Sequence, residues 1–151
     1  GRGRKTLGWK QIHGIAVEDT RYHLLTLTLR TRRTVRLIPT TGSPITLDDR
    51  FHDLPGLVET LKAQLYPRLL PEYRQQLQNQ WAYFGPLRFN KTHLDLGKRT
   101  HPWQQVKSLR LHAGFLIVEL DGHKPLQIPS AKIPNVEVLL QLVEELYTEK
   151  E

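Results

Sequence analysis

Two hydrophobic periods divide this chain into alternating stretches and leucine-rich ones. Over residues 11–18, Ile15 and Val17 fall on one face at period two. Over residues 22–31, Leu25, Leu27 and Leu29 alternate with Thr26 and Thr28, the pattern of a half-buried strand. A turn is expected at Arg32-Arg33, after which Val35 and Leu37 alternate until Pro39. The cluster Thr40-Thr41-Gly42-Ser43-Pro44 predicts a turn and Ile45-Thr46-Leu47 a short strand. The period then changes: Leu57, Val58, Leu61 and Leu65 share one face of an amphipathic helix, with Pro55 suited to its first turn. Pro67 and Pro71 are expected to interrupt that helix, because proline lacks an amide donor and clashes with the preceding turn. The polar, glutamine-rich stretch that follows predicts a short connecting helix.

Strand signals resume at Trp81. Tyr83, Phe84, Leu87 and Phe89 flank a bend at Gly85-Pro86, and His93 to Leu96 predicts a second short strand. Val106 to His112 alternates, Phe115 to Leu120 is the most apolar strand of the chain, and Asp121-Gly122 is a strong turn signal before Leu126 and Ile128. The last segment is helical: Val136, Leu139, Leu140, Val143, Leu146 and Tyr147 form a continuous stripe, opened by Pro134-Asn135.

The two halves read alike. Trp9-Lys10-Gln11-Ile12 matches Trp103-Gln104-Gln105-Val106, and each is followed by alternating strands, a turn, a short strand and a leucine-rich helix. Leu54-Pro55 opens one helix and Ile133-Pro134 the other, so Trp9, Trp103, Pro55 and Pro134 are the expected anchors of a repeat. The pattern predicts an α+β, mostly β fold of two units, each a bent antiparallel sheet or small barrel closed by its C-terminal helix. The first unit spans 1–66, a linker helix 67–80 and the second unit 81–151. Only eight residues precede Trp9, so the first unit is expected to lack its opening strands. Methionine is absent even at position 1, which agrees with a piece of a longer chain.

Composition narrows the function classes. Among the 151 residues there is no cysteine, which removes disulfides, thiolate metal sites and thiol nucleophiles. The first residues lack a signal peptide's apolar stretch, and no apolar run approaches the roughly 20 residues of a membrane span. The expected setting is the cytoplasm, or the cytoplasmic side of a membrane if the full-length chain carries an anchor. Net charge is +7, and residues 1–36 hold nine Lys/Arg against Glu18 and Asp19, the whole excess. Arg30, Arg32, Arg33 and Arg36 are the densest cluster, expected at a hairpin tip where guanidinium groups suit phosphate or carboxylate. Such a cluster fits a polyanionic partner, nucleic acid or an anionic membrane surface, or equally a charged turn that protects a strand edge.

Catalytic constellations are not legible. The seven histidines lack the spacing of a zinc site, so no metal or other cofactor is expected. Ser43, Ser108 and Ser130 lie in no nucleophile elbow, and glycines are spread singly instead of forming a phosphate-binding loop. Trp81-Ala82-Tyr83 with Arg88 comes nearest to a base-stacking platform, but the pattern fits core packing better. The expectation is a protein that is not an enzyme and binds an unknown protein, peptide or anionic surface, with nucleic acid as an alternative.

Phe84-Gly85-Pro86-Leu87, His101-Pro102-Trp103-Gln104-Gln105-Val106, Gly114-Phe115-Leu116-Ile117 and Ile133-Pro134-Asn135 with its leucine-rich helix resemble the pleckstrin-homology-like (PH-like) domains of bacteria. The match is nearest to an uncharacterised family in which the Trp-x-x-Ile/Val and Ile-Pro-Asn steps recur. It covers residues 81–148 well and residues 5–65 more weakly. The resemblance implies a seven-stranded bent sheet capped by a C-terminal helix, in tandem, with no enzymatic activity. The chain departs from the lipid-binding subset, whose first hairpin is richer in Lys and Arg: here Arg88-Phe89-Asn90-Lys91-Thr92 has two cations only.

Overall fold

Ile15 stands opposite Leu37 and Val17 opposite Val35, and these apolar pairs set the register of the first sheet. In the computed structural model, residues 11–24, 27–48, 50 and 52–149 are described, with the backbone alone for residues 19–24, 27–32 and 149. Trp9 lies outside them. Strand β1 (Ile12–Leu24) pairs antiparallel with β2 (Leu27–Pro39), and β3 (Ile45–Leu47) pairs with β2 only over Val35–Leu37. Helix α1 (Leu54–Gln76) follows. A four-stranded sheet comes next, in the order β4 (Ala82–Phe84), β5 (Leu87–Phe89), β6 (His93–Asp95), β7 (Thr100–Pro102). The third sheet is the meander β8 (Val106–His112), β9 (Phe115–Leu120), β10 (Leu126–Pro129), and α2 (Val136–Glu149) ends the chain. The fold is α+β, mostly β, with three antiparallel sheets and two helices. The expected barrel does not close: among the described residues all three sheets are open. No helix there is long and apolar enough to cross a membrane.

The hairpin tip lies elsewhere than expected. Leu24 pairs with Leu27, so the chain reverses between them, and Arg30, Arg32, Arg33 and Arg36 sit along β2 opposite Tyr22, Thr20, Asp19 and Ala16. Arg30 to Arg36 contains no Gly, Pro, Asn or Asp to make a turn, and its threonines favour the pleat. The apolar pairs at the base of the ribbon fix the register, and the register places the reversal.

Helix α1 also runs on where interruption was expected, with Pro67 and Pro71 both inside it. Each proline removes one helical bond, from the carbonyls of Ala63 and Pro67 respectively. Residues 63, 67 and 71 are all exposed, so water can satisfy those groups. The opposite face stays apolar throughout: Leu54, Val58, Leu61, Leu65, Leu69 and Tyr73 are buried. Burial of that stripe at about 1.5–3 kcal/mol per large side chain outweighs about 3 kcal/mol per proline. The stripe carries α1 into the second half, where Tyr73 stacks on Phe84 with ring centroids 4.7 Å apart. Residues 67–76 are therefore the second half of α1 and pack into the core that both halves share.

Rings continue the line. Phe84 lies 5.8 Å from Phe89, Phe89 meets Trp103 edge-on at 5.9 Å, and Trp103 meets Tyr147 of α2 at 5.9 Å. Trp103 is buried and its Nε1 donates to the Asn90 carbonyl at 2.7 Å. In α2, Leu139, Val143 and Leu146 are buried as expected, whereas Leu140 is only half-buried. Val138 and Leu142 are buried as well, because α2 packs on both a sheet and α1.

Asn135, just before α2, fastens the halves together. Its left-handed backbone (φ 55°) is a conformation that asparagine tolerates better than most residues. Its Oδ1 accepts from the Ile15 amide at 3.1 Å, its Nδ2 donates to the His13 carbonyl at 3.1 Å, and its own amide donates to the Ile15 carbonyl at 2.9 Å. Arg68 of α1 donates to the Ile12 carbonyl nearby. Gly85 (φ 62°) is held against this loop, since a Cβ there would run into the Lys132 carbonyl.

Matched local features recur in the two halves. The Thr40 amide donates to the Gln11 carbonyl and the Asp121 amide to the Gln105 carbonyl, each at 2.8 Å. Register slips between Ile12 and Gly14, and likewise between Val106 and Ser108. Asp53 before α1 is left-handed (φ 52°), as Asn135 is before α2. Pro55 follows its left-handed residue and Pro134 precedes its own, so the two prolines stand on opposite sides of that shared feature.

Asn135→Leu should lower stability by about 2–5 kcal/mol, from the buried Ile15 amide and the part-buried His13 carbonyl left without their partner and from a strained φ. Asn135→Gly should recover only the backbone part. Urea unfolding of both variants checks this, and two wild-type midpoints would show that the amide side chain is dispensable. Leu139→Ala should cost about 2–5 kcal/mol and the half-buried Leu140→Ala clearly less, read from the same unfolding curves.

Candidate functional site

The arginine cluster is not one site. By register, positions 30, 32 and 36 share one face of β2, and Arg33 shares the other with Val35 and Leu37. Arg36 is used internally: its Nη2 donates to the Ala131 carbonyl at 3.3 Å, and its buried Nε has no partner among the described residues. That guanidinium ties β2 to the loop before α2 and is a structural contact. Arg33 lines a cavity of about 210 Å³ between the first sheet and the helices. At the edge of that cavity Lys62 of α1 meets Glu137 of α2 at 2.6 Å, and the Tyr66 hydroxyl donates to the other Glu137 oxygen at 2.5 Å. Burial pushes the Glu137 carboxyl upward, but the hydrogen bonds from Lys62 and Tyr66 outweigh it and hold the group below its ordinary range. Burial, then the hydrogen bond to Glu137, pushes the Tyr66 phenol above its usual range. Arg74 and Glu145 form a second, more exposed link between the helices, at 2.7 Å.

A different place has the form of a ligand site. A slot of about 440 Å³ lies between the edge strands β7 and β10, where the two sheets of the second half leave their seam open. Strand β7 and the turn before it supply Leu96, Lys98, Arg99 and His101. Leu120, Leu126 and Ile128 form the apolar side, with His123 and Gln127 among them. The turn is shaped by Gly97 (φ 93°), whose amide donates to Asp95 Oδ1 at 2.8 Å, and by a bond from the Leu96 amide to the Arg99 carbonyl at 3.0 Å. This closure leaves Lys98 and Arg99 pointing outward, exposed, without a side-chain partner among the described residues. His101 is only 7% exposed, makes no side-chain hydrogen bond to a described residue, and meets His123 edge-on at 6.4 Å. The volume falls in the range of small-molecule sites, roughly 300–1,000 Å³. Sequence reading missed the slot because its residues come from two sheets with no common motif. The alternation of Leu126 and Ile128 was the one legible trace.

On the outer face of the four-stranded sheet, Arg88 lies 4.4 Å over the Trp81 ring and pairs with Asp95 at 2.8 Å. Its hydrogen bond to Asp95, together with the Gly97 amide, holds that carboxyl below the usual range. This stack is saturated by its own members, with Tyr83 accepting from Arg88 at 3.3 Å. The described histidines and carboxylates form no group of three that could hold a metal ion.

Comparison with known proteins assigns a family and no activity. The chain belongs to a family of unknown function, DUF6585. That family's model matches residues 1–151. No curated protein and no solved structure matches the chain.

Glu137→Gln should cost about 1–2 kcal/mol at neutral pH, since Lys62 is left unpaired while solvent screening limits the loss. The folded carboxyl titrates below its unfolded value, so its contribution is present above the ordinary carboxylate range near pH 4.3 and lost as pH falls through the folded value. Stability measured from pH 7 down to pH 3 should therefore drop less steeply in the variant than in the parent.

Proposed function

We propose that this protein is a non-enzymatic binding or scaffolding module of two PH-like units, and that its ligand occupies the slot between β7 and β10. The observation that carries the reading is the slot itself: an open seam with an apolar wall and unpaired cations at its mouth. The PH-like part is supported by seven strands followed by a helix over residues 82–149, and by three strands followed by a helix over residues 12–76. The matched Gln11 and Gln105 bonds, the matched register slips and the left-handed residues before both helices support the tandem part. A nucleic-acid partner is the second reading, favoured by Arg30 and Arg32, two positions of one face in the part of β2 that extends beyond β3.

The neutral fluorophore N-phenyl-1-naphthylamine tests the first reading. It should bind one site per chain, and Leu126→Asp, at an exposed position of the slot wall, should weaken binding about tenfold or more while the thermal midpoint stays close to the parent's. A chain that does not take up the probe, or a variant that binds it equally, would remove the slot as the ligand site. Single-stranded RNA bound with a steep salt dependence that Arg30→Gln/Arg32→Gln flattens would put the nucleic-acid reading first.

A further inference from the structure

The slot is chemically two-sided, and this selects its ligand. One side comes from β7 and the turn before it and carries Lys98, Arg99 and His101; the other comes from β9, β10 and the turn between them and carries Leu120, Leu126 and Ile128. None of the lining residues is acidic. The nearest carboxylates are engaged elsewhere: Asp95 with Arg88 at 2.8 Å, Asp121 with Lys107 at 3.5 Å, and Glu119 with Arg110 at 3.6 Å. The positive charge at the mouth is therefore uncompensated by neighbours. His101 adds a largely buried imidazole to that side, edge-on to His123 at 6.4 Å. A purely apolar ligand would make no use of the two cations at the mouth. A purely polar one would leave Leu120, Leu126 and Ile128 facing it without gain.

We infer that the slot holds a single-chain anionic amphiphile, its alkyl chain against Leu120, Leu126 and Ile128 and its carboxylate or phosphate head at Lys98 and Arg99, within reach of the His101 and His123 imidazoles. The inference rests on the slot being the ligand site and adds the class of ligand. Arginine offers a planar pair of donors and lysine a point charge, which suits a head with two or three terminal oxygens. A lone chain fits a cavity of about 440 Å³ that is open at one edge; a two-chain lipid would leave one chain in water.

The experiment displaces N-phenyl-1-naphthylamine with three ligands of equal chain length, each below its micellar concentration: laurate, monododecyl phosphate and dodecyltrimethylammonium. Both anions should compete about tenfold or more better than the cation. Lys98→Gln/Arg99→Gln should erase that preference while the neutral fluorophore binds as before. Laurate against dodecyl phosphate then tells a carboxylate head from a phosphate head. Equal competition by all three ligands, or an unchanged preference in the double variant, would overturn the anionic head while leaving the slot as a ligand site. Failure of the fluorophore to bind the parent would remove both. Retention on anionic phosphatidylglycerol vesicles with no binding of monomeric laurate or dodecyl phosphate would also overturn the inference, in favour of a membrane surface.

Discussion

One amide side chain holds the two halves of this fold to each other. Asn135 gives its acceptor to the Ile15 amide and its donor to the His13 carbonyl, on β1, the edge strand of its sheet, whose outward backbone groups have no further strand to pair with. Few residues could stand there. The position needs a left-handed backbone, which disfavours bulky and β-branched residues, and a short side chain with one donor and one acceptor. The rest of the joint is arranged around it: Arg36 reaches the Ala131 carbonyl, Gly85 lies against Lys132, and the α2 amides of Val138 and Leu139 take the Asn135 carbonyl. The bond from the Ile15 amide is buried, so water does not compete for it, and together with the part-buried bonds around it this bond fixes the first sheet in its place relative to α2.

The shared core follows from that joint. Helix α1 begins beside the first sheet and ends beside the four-stranded sheet, with Tyr73 stacked on Phe84. A helix with two internal prolines is a poor local design, and its persistence shows packing overruling propensity. Both prolines lie on the wet face, where the lost bonds cost least, and the dry face repeats apolar residues without a gap. The Lys62–Glu137–Tyr66 cluster and the Arg74–Glu145 pair fasten α1 to α2 along their length.

Charge is divided between structure and surface. Of the arginines that drew attention in the sequence, Arg36 is built into the joint and Arg33 lines an inner cavity, so the cluster cannot act as a single patch. The uncompensated cations beside an apolar wall are Lys98 and Arg99, two ordinary residues of a tight turn. They matter because β7 and β10 are both sheet edges whose seam stays open, and an open seam exposes apolar side chains that a closed barrel would have covered.

The amino-acid sequence by itself determined the type and order of nearly every element. The alternation at Val35 and Leu37, the apolar run Phe115–Leu120 and the stripes of α1 and α2 are local periodicities, and burial on one face reads them directly. The family-like steps Trp103-Gln104-Gln105-Val106 and Ile133-Pro134-Asn135 marked places that the structure uses, one as a buried ring and one as the joint. Only the tertiary structure decided where the first hairpin turns, because register depends on which apolar residues meet across two strands. It alone carried α1 through Pro67 and Pro71, because the stabilising contacts come from the other half of the chain. It also made the slot, since Lys98, Arg99 and His101 line a common cavity only when a second sheet brings Leu120, Leu126 and Ile128 to face them. Local pattern fixes which way a side chain faces, and long-range packing fixes what it faces.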